Sequence, residues 1–345
     1  MIEVKKEGII LRKTDLDFEN QAVLNPAVIR EGDIVHLFYR GVRNGNHSSI
    51  GYCKLNSPAK VSQRFDAPVL IPQFKYELHG VEDPRIVKID DLYYLTYTAY
   101  NGLNSLGALA TSKDLRHFDK RGLIVPQIKY DEFKRLVEYR CKLNLKYFRM
   151  NGANTFLMVK DVMFFPRRIN NKLYFMQRIK PDIQLVCVND LKELTKAFWE
   201  DYFIHFDKNI MLKPKHNHEV SYIGGGCPPI ETEHGWLLIY HGVHDTVEGY
   251  VYSARVALLD INNPLNEIAR LPYNLFKPEH EWELKGDVDN VVFPTGTALF
   301  GDTLYIYYGA ADTRIACASL SFSSLLTELL SYAGSDKKLE NKVEV

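Results

Sequence analysis

The chain of 345 residues lacks net charge, because 43 Lys and Arg residues balance 43 Asp and Glu residues. No long-range field therefore attracts nucleic acid or an anionic membrane, and a neutral small molecule is the expected partner. No apolar run approaches the roughly 20 residues that a membrane-spanning helix needs. Charges also interrupt the N-terminal segment, where a signal peptide would have its apolar stretch. We expect a cytoplasmic protein, or a periplasmic one if a leader is removed.

Motifs for metals, disulfides and acyl transfer are also missing. The five cysteines are widely spread and none forms a Cys-x-x-Cys pair, so reduced thiols are expected rather than a disulfide framework or a zinc ribbon. No Gly-x-Ser-x-Gly sequence supports acyl transfer. The polar segment His216–Glu219 is better explained as a solvated connection than as a metal site. We expect no metal and no cofactor.

One pattern recurs five times along the chain, and internal repeats determine the fold class. Each copy has a strand that contains or precedes a proline, a tight turn of Gly, Asn or Asp, and a strand of alternating aromatic and aliphatic residues, which is typical of a β-hairpin. The recurring prolines are Pro26, Pro84, Pro166, Pro229 and Pro294. Another strand-like segment follows each hairpin. About four strands per copy predict an all-β, five-bladed β-propeller.

The repeats predict blades over residues 24–60, 80–120, 158–200, 222–265 and 288–322. No linker rich in Pro, Gly and Ser divides the chain, so residues 1–345 are expected to form a single domain. The charged, amphipathic segment 130–150 predicts an inserted helix, which is a candidate interface for a homo-oligomer. Residues 323–332 predict a short C-terminal helix, followed by a charged tail.

The innermost strands of a propeller line its central channel, so their polar residues are expected to converge. Charged groups in such apolar strands are costly unless they are paired or functional. They therefore form either a structural ion-pair network or a catalytic site, and several converging carboxylates favour the latter. Two carboxylates across a pocket suit glycosidic chemistry, because one protonates the leaving oxygen while the other activates water. The residues concerned are Asn25, Glu82, Asp83, Arg85, Lys160, Asp161, Glu231 and Asp312.

The segment Gly80–Ile86, followed by the aromatic run Tyr93–Tyr100, resembles glycoside hydrolase family 130. Further blocks that resemble this family extend the similarity over residues 24–320, namely Gly225–Ile230, Gly235–Gly242, Ala257–Asp260, Asn290–Pro294 and Tyr307–Asp312. The resemblance implies a five-bladed propeller that acts on β-mannosides. Many members of the family are phosphorylases, and some are inverting hydrolases.

The resemblance also assigns roles to single residues. Asp83 matches the general acid, while Asn25, Arg40 and Asp312 match positions that hold the reacting mannose. The remaining residues assigned to substrate binding are Arg85, Lys160, Asp161, Arg178, Tyr240 and His241.

Departures from the phosphorylase pattern favour hydrolysis. The pair Lys160-Asp161 stands where phosphorolytic members have Arg-Asn, and Glu231 stands in place of a Lys. Phosphate needs cations around it, and a carboxylate would repel it. We therefore predict inverting hydrolysis of β-mannosidic linkages, in which Glu231 activates water. Resemblance to the hydrolytic branch of the family implies that Glu283 shares this role and that β-1,2 linkages are favoured. A phosphorylase that releases mannose 1-phosphate and a non-catalytic sugar-binding propeller are the alternatives.

Overall fold

Tight turns connect strand after strand along this chain. In a computed structural model, which describes residues 1–138, 145–147 and 155–334, these turns place Gly32, Asp90 and Gly301 at φ angles of 58°, 54° and 57°. Gly and Asp tolerate this left-handed conformation better than most residues do. The described part of the chain is mostly β, as the sequence predicts, with four sheets and few, short helices.

The strands fall into five groups of about four, in chain order. An N-terminal strand, β1 (Lys5–Leu11), comes before the first group. The first group is β2 (Ala22–Glu31), β3 (Ile34–Arg43), β4 (His47–Ser57) and β5 (Lys60–Arg64). The second is β6 (Gly80–Ile89), β7 (Leu92–Tyr100), β8 (Ser105–Ser112) and β9 (Asp119–Leu123). A parallel bridge between Ser48 and Gly80 joins these two groups into one sheet of eight strands.

Each remaining group forms its own sheet. The third group is β10 (Lys160–Phe164), β11 (Leu173–Ile179), β12 (Asp182–Val188) and β13 (Ile210–Leu212). The fourth is β14 (Tyr222–Gly225), β15 (Ile230–Thr232), β16 (Gly235–Thr246), β17 (Gly249–Leu259) and β18 (Glu267–Arg270), and both β14 and β15 pair with β16. The fifth is β19 (Val292–Phe300), β20 (Thr303–Ala310) and β21 (Arg314–Ser321), and β1 adds to it as the fourth strand beside β21.

The groups contact one another in a cyclic order. Strand β2 contacts β6, β6 contacts β10 and β10 contacts β14, while β16 and β17 contact β19, which in turn contacts β2. A cluster of buried apolar side chains fills the interface between each pair of neighbouring groups, including the interface between the fifth group and the first. The hydrophobic core is therefore divided among these interfaces, and the first strands of the groups lie side by side.

Four α-helices accompany the sheets in the part of the chain that the structure describes: α1 (Tyr130–Val137), α2 (Lys196–Ile204), α3 (Glu281–Leu284) and α4 (Phe322–Ser331). Helix α1 begins the predicted insertion 130–150, of which residues 139–144 and 148–150 lie outside the described residues, as does the predicted tail. Helix α4 lies within one residue of the predicted bounds. Helix α2 was not predicted, and its Phe203 packs edge-on against Phe133 of α1 with ring centroids 5.1 Å apart. Along the described segments, no helix combines the length and the apolar character needed to cross a membrane.

Candidate active site

Bulges in three first strands bring polar side chains together. In β2, β6 and β10 the pairing shifts by one residue, so that one extra residue stands opposite the neighbouring strand. Asn25, Asp83 and Asp161 lie within these bulges, at φ angles of 49°, 47° and 53°. Asn and Asp are the non-glycine residues best suited to this left-handed conformation. The backbone therefore explains why these residue types stand at these positions.

Asp83 is the centre of the first half of the site. Its Oδ1 accepts a hydrogen bond from Asn25 Nδ2 at 2.7 Å and lies 3.5 Å from Arg40 Nη1. Its Oδ2 lies 3.7 Å from Lys160 Nζ. Arg40 also donates to Glu82 Oε1 at 2.8 Å. Burial alone would raise the pKa of Asp83, but Arg40, Lys160 and Asn25 hold it well below its usual range.

Asp312 lies on the open side of this arrangement. Together with Arg40 it lines a cavity of about 760 Å³. Burial, together with the neighbouring charge of Asp83, raises the pKa of Asp312 to about 6. The two acids thus have opposite pKa shifts within one site, a pattern that is common where proton transfer occurs.

Asp161 is the centre of the second half. Its Oδ2 lies 3.1 Å from Arg178 Nη1 and 3.8 Å from His241 Nε2. Burial, followed by the charges of Arg178 and Arg85, lowers the pKa of His241 well below its usual value, so its ring is neutral. Lys180 lies among the same charges, and burial together with Arg178 and Lys160 lowers its pKa to about 7. Cations therefore concentrate on this side of the site.

Arg85 supports the backbone of the site. Only 1% of its surface is exposed, and its guanidinium donates to the carbonyl oxygens of Asp83, Pro84 and Gly226. These hydrogen bonds connect the bulge of β6 to the segment that joins β14 to β15. The contacts favour a positioning role over the sugar-binding role assigned to Arg85 from the sequence.

The structure corrects the placement of Glu231. Its side chain is 47% exposed and forms a two-pronged ion pair with Arg167, with N–O distances of 2.8 and 2.5 Å. Arg167 in turn stacks on Trp236, with its guanidinium carbon 4.9 Å from the ring centroid. Because Glu231 points to the surface and away from Asp83, it is not positioned to activate water.

Glu283 and Tyr240 also lie away from the site, in buried clusters that recur along the chain. Glu283 is fully buried and accepts hydrogen bonds from Lys6 at 2.5 Å, from the Tyr308 hydroxyl at 2.6 Å and from two backbone N–H groups. Tyr240 is equally buried, and its hydroxyl donates to Glu219 at 2.6 Å. Every polar contact of these carboxylates is internal, which indicates a structural role.

Among the described residues, four groups contain such a Glu–Tyr cluster. In each, a buried Glu accepts the hydroxyl hydrogen of a Tyr from the strand that pairs with the first strand of the group, and it also forms an ion pair with Lys or Arg. The clusters are Glu19 with Tyr39 and Arg64, Glu77 with Tyr97 and Lys120, Glu219 with Tyr240, Arg255 and Arg270, and Glu283 with Tyr308 and Lys6. Although burial favours the neutral acid, Arg270 and Arg255 hold the pKa of Glu219 at about 2. Part of the buried charge and of the tyrosine content of the chain therefore serves this repeated structural cluster.

Sequence reasoning missed Lys180 and two glycines. Lys180 follows Arg178 by two residues, so strand alternation predicts that both side chains face the same side. A Cβ on Gly309 would lie 2.0 Å from Asn25 Oδ1, and one on Gly224 would lie 2.5 Å from Asp161 Oδ2. These glycines therefore leave room for the polar side chains of the site. Among the residues described here, no group of three or more His, Cys, Asp or Glu side chains is arranged to hold a metal ion.

Comparisons with known proteins agree with the resemblance found in the sequence. The profile of glycoside hydrolase family 130, described as beta-1,4-mannooligosaccharide phosphorylase, matches residues 10–330. A 1,2-beta-oligomannan phosphorylase from Thermoanaerobacter sp. (strain X514) is 33% identical over 338 residues, which cover 94% of this chain and 99% of the relative. A beta-1,2-mannobiose phosphorylase from the same organism is 35% identical over 319 residues, which cover 88% of this chain and 91% of the relative.

Solved structures share the fold at lower sequence identity. The beta-1,2-mannobiose phosphorylase of Listeria innocua, in complex with beta-1,2-mannobiose, superposes with a TM-score of 0.71 at 23% identity and covers 95% of this chain and 99% of its own. A structure described as coming from the hydrolases of the family that target beta-1,2 mannosidic linkages in Candida mannan has a TM-score of 0.72 at 22% identity, with coverage of 92% and 93%. The extent of the profile match and the identity to the curated relatives show that this chain belongs to glycoside hydrolase family 130.

Proposed function

We propose that this protein is an inverting β-mannoside phosphorylase that transfers a terminal mannose from β-1,2-linked manno-oligosaccharides to phosphate. The observation that carries the proposal is the cluster of cations beside Asp83 and Asp161, from which Glu231 is absent. The linkage is supported by the relatives that are 33% and 35% identical, both named for β-1,2-linked substrates.

The proposal includes the arrangement of the fold. The five strand groups are the blades of a closed five-bladed propeller formed by a single domain, and their first strands line its channel. The cyclic order of contacts and the apolar cluster at each of the five interfaces support this arrangement. The pairing of β1 with β21 would close the ring between the two ends of the chain.

The charge of the site favours an anionic co-substrate. The sequence-based argument against phosphate counted the Lys160-Asp161 pair and Glu231, and of these Glu231 is outside the site because it pairs with Arg167 at the surface. Lys180, which that argument omitted, lies instead among the charges near Asp161. The groups that interact around the site are the cations Arg40, Arg85, Lys160, Arg178 and Lys180 and the carboxylates Glu82, Asp83, Asp161 and Asp312.

The lowered pKa of Lys180 indicates an excess of positive charge around it. Its pKa is lowered to about 7 by burial and by the repulsion of Arg178 and Lys160, and only Asp161 opposes this shift. A phosphate bound beside these groups would remove the repulsion and restore the charge of Lys180. An anion is therefore expected to bind beside Lys180, where the cations of the free protein repel one another.

Asp83 acts as the general acid in this mechanism. In the free protein Arg40, Lys160 and Asn25 keep it ionised, and the negative charge of phosphate beside Lys160 would raise its pKa so that it can hold a proton. Asp83 then protonates the glycosidic oxygen as the C1–O bond breaks. A phosphate oxygen attacks C1 from the opposite face, giving α-mannose 1-phosphate, and the proton of hydrogen phosphate replaces the one that Asp83 gave up.

Hydrolysis is the second candidate, and one observation favours it. Neither oxygen of Asp161 accepts a hydrogen bond from any residue in the described part of the chain. A buried carboxylate with free acceptor positions can take a proton from water as an inverting base does. In this alternative Asp161, and not Glu231 or Glu283, activates the water.

A product analysis with and without phosphate tests the proposal. We would incubate the protein with β-1,2-mannobiose and β-1,2-mannotriose, using β-1,4-mannobiose as the linkage control, and identify the products by phosphorus and proton NMR. We expect α-mannose 1-phosphate with phosphate and no turnover without it. The Asp83→Asn variant serves as the inactive control. Release of free mannose at an equal rate in phosphate-free buffer would reject phosphorolysis and support hydrolysis.

A further inference from the structure

Asp161 has an environment that neither the acid role of Asp83 nor simple charge pairing explains. Its residue surface is only 4% exposed, and it lies 3.1 Å from Arg178 Nη1 across an ion pair. Even so, no side chain or backbone group in the described segments donates a hydrogen bond to either of its oxygens. Buried carboxylates that lack hydrogen bonds are costly, which points to a donor that arrives with a ligand.

A carboxylate among cations imposes a condition on the anion that binds there. An ionised carboxylate can only accept hydrogen bonds, so a neighbouring anion must bring its own proton or suffer repulsion in a buried site. Hydrogen phosphate carries a hydroxyl group that can donate. Sulfate has nearly the same size and charge, but it carries no proton at neutral pH. The interaction with Asp161 should therefore be attractive for hydrogen phosphate and repulsive for sulfate.

The neighbours of Asp161 can serve the remaining oxygens of such an anion. Arg178 and Lys180 supply positive charge, and burial and the surrounding cations keep His241 neutral. His241 Nε2 lies 3.3 Å from Arg178 Nη1, a donor, so this nitrogen accepts and Nδ1 carries the proton. The backbone of Gly225 also interacts with the His241 ring, so Arg178 and Lys180 are the groups left to bind the oxygens of a ligand.

We propose that Asp161 makes this site selective for protonated oxyanions, accepting the hydroxyl hydrogen of phosphate and repelling sulfate. The inference rests on the proposed phosphorolysis and names the residue that selects its co-substrate. Asp161 is a positioning residue in this scheme, because it orients phosphate and takes no part in bond breaking. Arsenate, which also carries a hydroxyl at neutral pH, should bind as phosphate does.

Calorimetric titration with phosphate, arsenate and sulfate measures this selectivity without turnover. For the unmodified protein we expect sulfate to bind at least about 100-fold more weakly than phosphate, with arsenate close to phosphate, since a hydrogen bond to a charged group and the avoided repulsion both contribute. In Asp161→Asn the amide can donate to either anion, so the preference for phosphate over sulfate should fall by about 10-fold or more. The matched control is Asp312→Asn, which removes a carboxylate on the other side of Asp83 and should keep the preference.

The outcomes separate the inference from the function on which it rests. Equal binding of phosphate and sulfate by the unmodified protein, or an unchanged preference in Asp161→Asn, would overturn the selectivity proposal and leave phosphorolysis standing. Release of free mannose without phosphate, lost in Asp161→Asn, would overturn both and make Asp161 the base of a hydrolase. If Asp161→Asn does not fold, inhibition of the unmodified enzyme by sulfate decides, because strong competition with phosphate contradicts the proposal.

Discussion

Replacing Glu283 by Gln separates a structural from a catalytic role for this residue. In the folded protein Glu283 Oε1 accepts hydrogen bonds from Lys6 Nζ and the Tyr308 hydroxyl, while Oε2 accepts hydrogen bonds from the backbone N–H groups of Glu279 and His280. A Gln in this place removes the negative charge opposite a buried Lys6 and turns an N–H₂ group toward one set of donors. Breaking a buried ion pair from one side costs about 3–5 kcal/mol, so we expect Glu283→Gln to lose about this much unfolding free energy.

Two matched variants and two assays make the test specific. Glu219→Gln, which alters the equivalent cluster in the fourth group, should lose a comparable amount, whereas Glu231→Gln alters a surface pair worth about 0–1 kcal/mol. Urea unfolding gives the free energies, and initial rates below the lowest melting temperature give kcat. We expect kcat of Glu283→Gln and Glu231→Gln to stay within about threefold of the unmodified enzyme. A fall of kcat by 10²-fold in either variant, with stability unchanged, would refute the structural assignment.

Three further predictions concern the site itself. Asp83→Asn should lower kcat by about 10²–10⁴-fold with an unchanged circular dichroism spectrum, as expected for loss of a general acid, and residual activity within a few-fold would exclude that role. Because the folded-state pKa of Asp312 is raised to about 6, its contribution to stability is present below about pH 4 and is lost as the pH rises through 6. Asp312→Asn should therefore gain stability relative to the unmodified protein between pH 4 and 7, measured by urea unfolding, and a constant difference would contradict the shift. Gly309→Ala places a Cβ 2.0 Å from Asn25 Oδ1, so it should displace Asn25 and reduce kcat/KM by at least about 10-fold, and an unaffected rate would show that Asn25 is not held in place there.

The local signals in the sequence were sufficient for the β-rich fold. Alternating strands and turn residues predict hairpins, and the structure has them within the predicted segments, as with the pair of β2 and β3 at the start of segment 24–60. Helix α2 was missed because its aromatic residues resemble a strand and its apolar side chains do not follow a single face. The cyclic order in which the five groups contact one another depends on residues far apart in the chain, which local patterns do not contain.

Only part of the site could be predicted, for a similar reason. Asn25, Asp83 and Asp161 stand in the same repeated bulge, so their position in the pattern indicated that they would lie together. Glu231 follows Pro228 and Pro229, across which strand alternation cannot be extended, and its side chain lies at the surface beside Arg167.

Glu283 was misassigned because its partner Lys6 lies at the other end of the chain, beyond any local pattern. A signal for the clusters was nevertheless present in the sequence. Glu19 and Glu77 each stand six residues before the bulge residue of their group, Asn25 and Asp83, and this repeated spacing identifies them as part of the scaffold.

The pairing of β1 with β21 has a consequence for the order in which the chain can fold during synthesis. Strand β1 leaves the ribosome before every other described strand, but its partner is the last strand to be made. Strand β1 therefore remains an unpaired edge until β21 is made, and Lys6 lacks its partner carboxylate until Glu283 is translated. Four strand groups can assemble as they emerge. The fifth must wait for both ends of the chain, so completion of the fold is a single late event.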